Sequence, residues 1–388
     1  MFDRLLEPPK RSFFLFGPRA TGKSTWLKQR FADALRLDLL RNETYFRLSA
    51  DPGELRAMVT AEPRSRWVVL DEVQRIPELL NEVHALIEDG GYRFALTGSS
   101  ARKLKRGRAN LLAGRAAVRA FFPLVRAEYG DAATLEDVLC FGALPGVLAE
   151  PESRVDILEA YAGTYLREEI KEEALTRNVH AYSRFLQVAA QANAQVTNLS
   201  AISRDTGVPR ATVSTYFEIL TDTLLGRFLP AWTARARIKE VAHPKFYFFD
   251  TGVVRALQGR LRDAPAPEER GHLFETYVWH ELAAHTAYRN LGGEWSYWRT
   301  VDGVEVDFIW HRGTHTVAIE CKSTDRWQKR DDAGLVALSA SKVAPMSCHG
   351  VYLGRERLRR EWGVVHPLVD FLAALRDGKV LPHGSAAA

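Results

Sequence analysis

The stretch Phe13-Phe14-Leu15-Phe16-Gly17-Pro18-Arg19-Ala20-Thr21-Gly22-Lys23-Ser24-Thr25 decides how the first third of the chain folds. Four consecutive apolar residues read as a strand buried on both faces, the pattern of a parallel sheet covered by helices. Gly17 to Ser24 then satisfies Gly-x4-Gly-Lys-Ser at every fixed position, and a helical pattern from Thr25 to Leu35 follows. The chemistry demands these residue types. Gly17 and Gly22 let the backbone curl until its N–H groups converge on phosphate oxygens, and the helix N-terminus behind them adds positive potential. Lys23 is expected to reach the β- and γ-phosphates, and the Ser24 hydroxyl to ligate Mg²⁺. The residues expected to contact ATP are Gly17, Pro18, Arg19, Ala20, Thr21, Gly22, Lys23, Ser24 and Thr25. The string alone arises by chance, but the strand before it and the helix after it argue against coincidence.

A second apolar strand, Trp67-Val68-Val69-Leu70, ends in Asp71-Glu72. Asp71 would hold Mg²⁺ directly or through water, and Glu72 would act as general base on the attacking water. An acidic pair can also simply cap a strand; beside a phosphate loop the catalytic reading is preferred. A third buried run, Phe94-Ala95-Leu96, ends in Thr97-Gly98-Ser99-Ser100, and Leu111-Leu112-Ala113-Gly114-Arg115 places an arginine beyond it.

The chain has 388 residues, 46% hydrophobic and 26% charged, enough for two or three domains. Its 53 Lys and Arg against 48 Asp and Glu leave a net charge of +5, permissive for nucleic acid without requiring it. Cys140, Cys321 and Cys348 are far apart and form no CxxC pair, which argues against a disulfide framework or a zinc site and suits a reducing cytoplasm. No apolar run is long enough to span a bilayer and charges interrupt the N-terminus early, so neither membrane nor secretion is expected. His383 to Ala388 read as a tail.

The overall pattern is α/β with a helical middle. Residues 1–122 alternate strands and helices around the phosphate loop; 123–180 read as a small helical lid, 181–240 as a winged helix and 241–380 as a second α/β domain. Within the middle, Asn198 to Trp232 has helix-turn-helix grammar. Leu199, Ile202 and Ser203 form one face, Gly207-Val208 the turn, and Pro209 opens a second helix through Val213, Tyr216, Phe217 and Leu220. Arg210, Thr212, Ser214 and Thr215 would then face a major groove, with Leu224 to Trp232 as the wing. A winged helix used for packing or oligomer contact fits the same pattern, and the second helix lacks a Lys/Arg cluster.

In the last region the expected strands are Lys245–Phe249, Glu294–Arg299, Val304–Trp310, Thr316–Glu320 and Gly350–Leu353, with Arg260–Gly271 as a loop. Glu275 falls on a helical stretch from Gly271 to His285, and Asp307 on the strand Gly303-Val304-Glu305-Val306-Asp307. Glu320 and Lys322 are two apart on Val317-Ala318-Ile319-Glu320-Cys321-Lys322, so their side chains leave the same strand face. Glu275, Asp307 and Glu320 are hard oxygen ligands suited to one or two Mg²⁺ ions, and Lys322 would orient water or stabilise phosphorane charge. The alternative is a surface hairpin carrying ordinary charges.

The ordered series Gly17–Thr25, Asp71-Glu72-Val73-Gln74, Thr97-Gly98-Ser99-Ser100, Leu112-Ala113-Gly114-Arg115, Phe141-Gly142-Ala143-Leu144-Pro145, Tyr165-Leu166-Arg167-Glu168-Glu169-Ile170 and Phe248-Phe249-Asp250-Thr251-Gly252 resembles a bacterial and archaeal family of AAA-type (AAA+) P-loop ATP-binding proteins, along nearly the whole chain. The resemblance implies an AAA+ core, a helical lid, a winged helix and a C-terminal module of unknown function. Asp307, Glu320 and Lys322 in turn resemble the D…ExK core of restriction-endonuclease-like, PD-(D/E)xK, folds, and Glu275 their additional helical acid. By the same resemblance Thr97 or Ser99 stands at the sensor position, where Asn is usual, and Arg115 at that of an arginine finger for a neighbouring subunit; a surface arginine fits the latter place equally. The leading reading is an ATP-hydrolysing protein acting on DNA, remodelling or branch-migrating duplex or branched forms as a homo-oligomer such as a hexameric ring. Two alternatives stand beside it: an ATP-gated, metal-dependent DNA nuclease, and a nucleotide-dependent switch that binds a protein partner.

Overall fold

The computed structural model describes residues 2–98, 112, 114–165, 178–232, 243–340 and 346–382. Ser99 and Ser100, Leu111 and Ala113, Leu166 to Ile170 and the segment from His383 lie outside these residues.

Strand β1 (Phe13–Phe16) is buried throughout and lies inside a five-stranded sheet with β2 (Leu35–Asp38), β3 (Trp67–Asp71), β4 (Arg93–Gly98) and β5 (Ala117–Ala120), in the order β2-β3-β4-β1-β5. Every neighbouring pair is parallel. Alternation along β1 sends Phe14 and Phe16 into one core with Leu70 and Leu96, and Phe13 and Leu15 into another with Trp26 and Val69. Both faces are therefore covered, as the unbroken apolar run requires. The register sets Phe16 beside Gly98 and Asp38 beside Asp71, so the ends of β1, β3 and β4 meet at one edge. The first helix spans Lys23–Arg30, shorter than the run to Leu35 read from the sequence. Phe31 leaves helical geometry at φ −131°, ψ 57°, and Leu35 opens β2.

In the middle region helices Val179–Gln191, Leu199–Thr206 and Arg210–Asp222 precede a two-stranded antiparallel sheet, β6 (Gly226–Leu229) with β7 (Lys245–Phe248). Asn198 caps the second helix by accepting from the Ser200 and Ala201 N–H groups, both at 3.1 Å. Phe185, Phe217, Phe228 and Phe246 pack edge to face or tilted at centroid separations from 4.8 to 5.2 Å, joining the helices to this sheet. The pairing places β7 with β6, away from the later strands with which the sequence pattern groups it. The carboxylate of Asp250 follows β7 and caps helix Thr251–Gln258 through the Val253 N–H at 3.0 Å. Its other oxygen accepts from the Ala143 N–H at 2.7 Å, which ties Phe248–Gly252 to Phe141–Pro145.

The last region is a six-stranded mixed sheet under one long helix, Pro267–Tyr288. Its strands are β8 (Glu294–Arg299), β9 (Glu305–Arg312), β10 (His315–Lys322), β11 (Met346–Tyr352), β12 (Leu358–Arg360) and β13 (Gly363–Pro367), ordered β12-β13-β11-β10-β9-β8. The long helix begins inside the segment read as a loop, because Pro267 suits the first helical position and Glu268 and Glu269 suit the first turn. Phe274, Val278 and Leu282 bury its inner face in the same core as Phe308 and Ile319. The three cysteines are free. No helix among the described residues is long and apolar enough to cross a membrane.

Candidate functional site

The loop Gly17–Gly22 leaves β1 and enters helix Lys23–Arg30 with Gly22 at φ 92°, in the left-handed region that favours glycine. A Cβ on Gly17 would lie 2.2 Å from the Phe121 carbonyl oxygen, so the chain leaving β5 packs directly on the loop. Thr21 Oγ1 donates to the Pro18 carbonyl at 2.8 Å. The buried Lys23 ammonium donates to the Gly17 and Pro18 carbonyls at 2.7 and 2.9 Å, holding the loop closed around it.

The loop is also tethered from outside. Arg4 Nη1 donates to the Thr21 carbonyl at 2.7 Å, and Nη2 to the Phe122 carbonyl at 2.6 Å and the Tyr288 hydroxyl at 3.0 Å. The guanidinium lies 4.0 Å over the Phe121 ring, and Nε is 3.0 Å from Glu128 Oε2. Glu128 is itself fixed by the Leu5 N–H at 2.8 Å and the Val125 N–H at 3.1 Å. The Tyr288 hydroxyl accepts from the Phe122 N–H at 3.2 Å, which brings the end of the long helix to the same point.

At the sheet edge the Asp71 carboxylate lies between two hydroxyls. Ser24 Oγ donates to Oδ2 at 2.8 Å, and Thr97 Oγ1 donates to Oδ1. Thr97 is fully buried and its oxygen also accepts from the Glu72 N–H at 3.2 Å. Glu72 takes the left-handed conformation, φ 59° and ψ 45°, which costs a non-glycine residue strain and re-aims its side chain. Its carboxylate is buried and accepts from Gln74 Nε2. Ser24 and Asp71 are adjacent hard oxygen donors of the kind Mg²⁺ takes, and the loop with Lys23 fits a polyphosphate; the residues present suit Mg²⁺ and ATP. Arg115 forms a surface ion pair with Glu88.

On the helix Arg210–Asp222, Arg210 and Thr215 are exposed and Thr212 and Ser214 half-buried, while Val213, Tyr216, Phe217 and Leu220 face the core.

The acids of the last region gather at a second centre. Glu275 on the long helix and Glu305 and Asp307 on β9 bring carboxylate oxygens within 4.8 Å of one another. Lys245, from β7, reaches into this group: its ammonium is 2.7 Å from Glu275, ion-paired with Glu305 and 3.8 Å from Asp307. The Tyr247 hydroxyl donates to the same Glu275 oxygen. Glu320 stands across the strand pair, where Oε2 accepts from the Asp307 N–H at 3.3 Å and Oε1 pairs with Lys322. The Asp307 Oδ2 accepts from the Cys321 N–H at 2.8 Å.

Burial pushes the Glu275 carboxyl up to about 7 against the pull of Lys245, and burial next to Asp307 pushes Glu320 up to about 8. Burial by itself would lower the Lys245 ammonium, but Glu275, Asp307 and Glu305 outweigh it and hold the group charged. The carboxylates suit the Mg²⁺ implied by the nuclease resemblance; Lys245 sets a positive charge beside two of them, Glu275 and Asp307.

The structure thus assembles Lys23, Ser24, Asp71, Glu72 and Thr97 at one site and Glu275, Asp307, Glu320 and Lys322 at another. Arg4, Gln74, Glu128, Lys245, Glu305 and Tyr288 join these sites without a motif of their own to mark them. Glu305 carries a weaker signal, since it precedes Asp307 by two on one strand and shares its face.

Among known proteins, the AAA domain family matches residues 9–130. Two families described as domains of unknown function follow, DUF8612 over residues 132–264 and DUF4143 over 270–371. The N-terminal region is an AAA domain of the ATPase class, followed by a DUF4143 domain at the C-terminal end. Two mycobacterial relatives, Uncharacterized protein Rv2008c of Mycobacterium tuberculosis and Uncharacterized protein Mb2031c of Mycobacterium bovis, are each 27% identical over 381 residues, 96% of this chain and 81% of theirs. Protein VC1899 from Vibrio cholerae aligns over 95% of this chain and 96% of its own at 10% identity, with a TM-score of 0.21, too low to carry an argument.

Proposed function

We propose that the AAA domain hydrolyses ATP and that the chain uses this cycle to bind and remodel DNA. The observation that carries the reading is the pair of hydroxyls on Asp71, from Ser24 at 2.8 Å and from Thr97, with Glu72 turned by its left-handed backbone beside them. ATP bound there, with Mg²⁺, would supply a phosphoanhydride bond for hydrolysis. Loop N–H groups and Lys23 would hold its phosphates, and Ser24 and Asp71 the metal. Glu72 is the base available to take a proton from the attacking water, and Gln74 positions it. Thr97 links Asp71 to the Glu72 backbone, the place expected of a sensor.

The DNA part rests on the middle region as a winged helix. Its second helix keeps Arg210, Thr212, Ser214 and Thr215 off the core, side chains of the size and polarity that contact phosphates and base edges. Remodelling is favoured over cleavage because the Lys245 ammonium pairs with Glu275 and lies 3.8 Å from Asp307, two of the three acids a nuclease-like fold would turn to its metal.

The test is the steady-state ATPase rate with duplex, single-stranded and four-way-junction DNA, using Lys23→Ala as the blank. Stimulation by at least one form, falling with salt as phosphate contacts do, supports the proposal. ATPase activity with a flat response to all three would remove DNA and favour a switch that binds protein.

A further inference from the structure

Lys245 and Tyr247 alternate on β7, so both side chains leave the same face of that strand and both reach Glu275. β7 belongs to the two-stranded sheet with β6, whereas Glu305 and Asp307 belong to β9 of the six-stranded sheet and Glu275 to the helix packed on it. The Lys245 side chain therefore crosses from one region to the next, and the residue is only 3% exposed. An ammonium carries three protons and no acceptor, and here the carboxylates of Glu275, Glu305 and Asp307 surround it. A divalent ion ligated by those same oxygens would lie within a few ångströms of a buried positive charge, where repulsion is strong. The neighbouring acid, Glu320, pairs with Lys322 and accepts from the Asp307 N–H.

We infer that Lys245 is the resident cation of this centre: it replaces a divalent metal and latches the β6–β7 sheet onto the C-terminal domain. While β7 is docked, the centre binds no divalent ion.

Mn²⁺ binding to the full-length protein without nucleotide, followed by the electron paramagnetic resonance of free Mn²⁺, tests this. Wild type, Glu305→Gln, Lys245→Met and Lys245→Met/Glu305→Gln are compared. The expected result is equal Mn²⁺ stoichiometry for wild type and Glu305→Gln. Lys245→Met should gain one site, at least tenfold tighter than anything wild type offers there, and the double variant should lose it. A wild-type site that disappears in Glu305→Gln overturns the inference, as does a Lys245→Met protein with native circular dichroism and no gained site. Where Lys245→Met does not fold, the wild-type and Glu305→Gln pair decides alone. No ATP enters the measurement, so its failure leaves the ATPase reading standing.

Discussion

Arg4 Nη1 donates to the main-chain oxygen of Thr21 at 2.7 Å, so a residue at the start of the chain fixes the middle of the phosphate loop. The same guanidinium neutralises Glu128, and neither side chain is more than 4% exposed. Removing one member of such a pair strands a buried charge, while replacing both with apolar groups does not. Arg4→Met is expected to cost about 3–5 kcal/mol, and Arg4→Met/Glu128→Leu to recover most of it, by urea denaturation. A double variant no more stable than the single one would show that a stranded Glu128 charge is not what the single variant loses.

On the proposed mechanism Glu72 is the base and Gln74, which donates to its carboxylate, the side chain that holds it. Glu72→Gln should keep ATP binding and lower the hydrolysis rate by about 10²–10⁴-fold. Gln74→Ala should lower kcat by a smaller factor with KM little changed, since it loosens the base and leaves the phosphate contacts intact. An equal loss of ATP affinity in both variants, measured by calorimetry, would place these residues in binding instead.

Glu281 accepts from the Arg126 N–H at 2.6 Å, and its carboxyl is pushed up to about 8, chiefly by burial. Between about 4.5 and 8 the folded chain keeps a proton that the unfolded chain has released. The folded state binds more protons there, so this group's effect on stability becomes less favourable as pH rises through that window. Glu281→Gln removes the titration and should gain on wild type by a few kcal/mol from the acid to the alkaline end, on the order of 1.4 kcal/mol for each pH step within it. A difference that stays constant with pH would refute the assignment.

Its sequence neighbour tilts the other way. His280 Nε2 lies 3.2 Å from the Leu124 carbonyl oxygen, and burial pushes the imidazole down to about 4. The unfolded chain takes up the proton first, so stability is lost as pH falls from about 6.5 to about 4. His280→Gln should flatten that acid limb in thermal melts at successive pH values. An unchanged limb would point to other buried groups, with His349, also pushed down to about 4, the next to test.

The phosphate loop is legible in the sequence because its signal is local: one strand, one loop and one helix in unbroken order. Strands β2 and β5 are not, since Leu35–Asp38 and Ala117–Ala120 are four residues each and each contains an arginine. The contacts around the loop are remote in sequence: Arg4 and Tyr288 are 284 positions apart. Lys245 lies in an aromatic strand whose partner the pattern does not reveal, so nothing marks it as the mate of Glu275. Asp307, Glu320 and Lys322 are readable from strand alternation, and the same alternation applied one step earlier adds Glu305.

The helix Pro267–Tyr288 carries Glu275 near its middle and Tyr288 at its C-terminal end. Thirteen residues at about 1.5 Å each set them ~20 Å apart along one axis. At the C-terminal end a tyrosine hydroxyl meets Arg4, which donates to the Thr21 carbonyl of the loop; more than three turns earlier a glutamate holds the lysine from the neighbouring sheet. The helix is continuous between them, so their spacing is set by its rise. One helix thus spans, as a single rod, the distance between the Arg4 cluster at the loop and the Lys245 cluster at the acids.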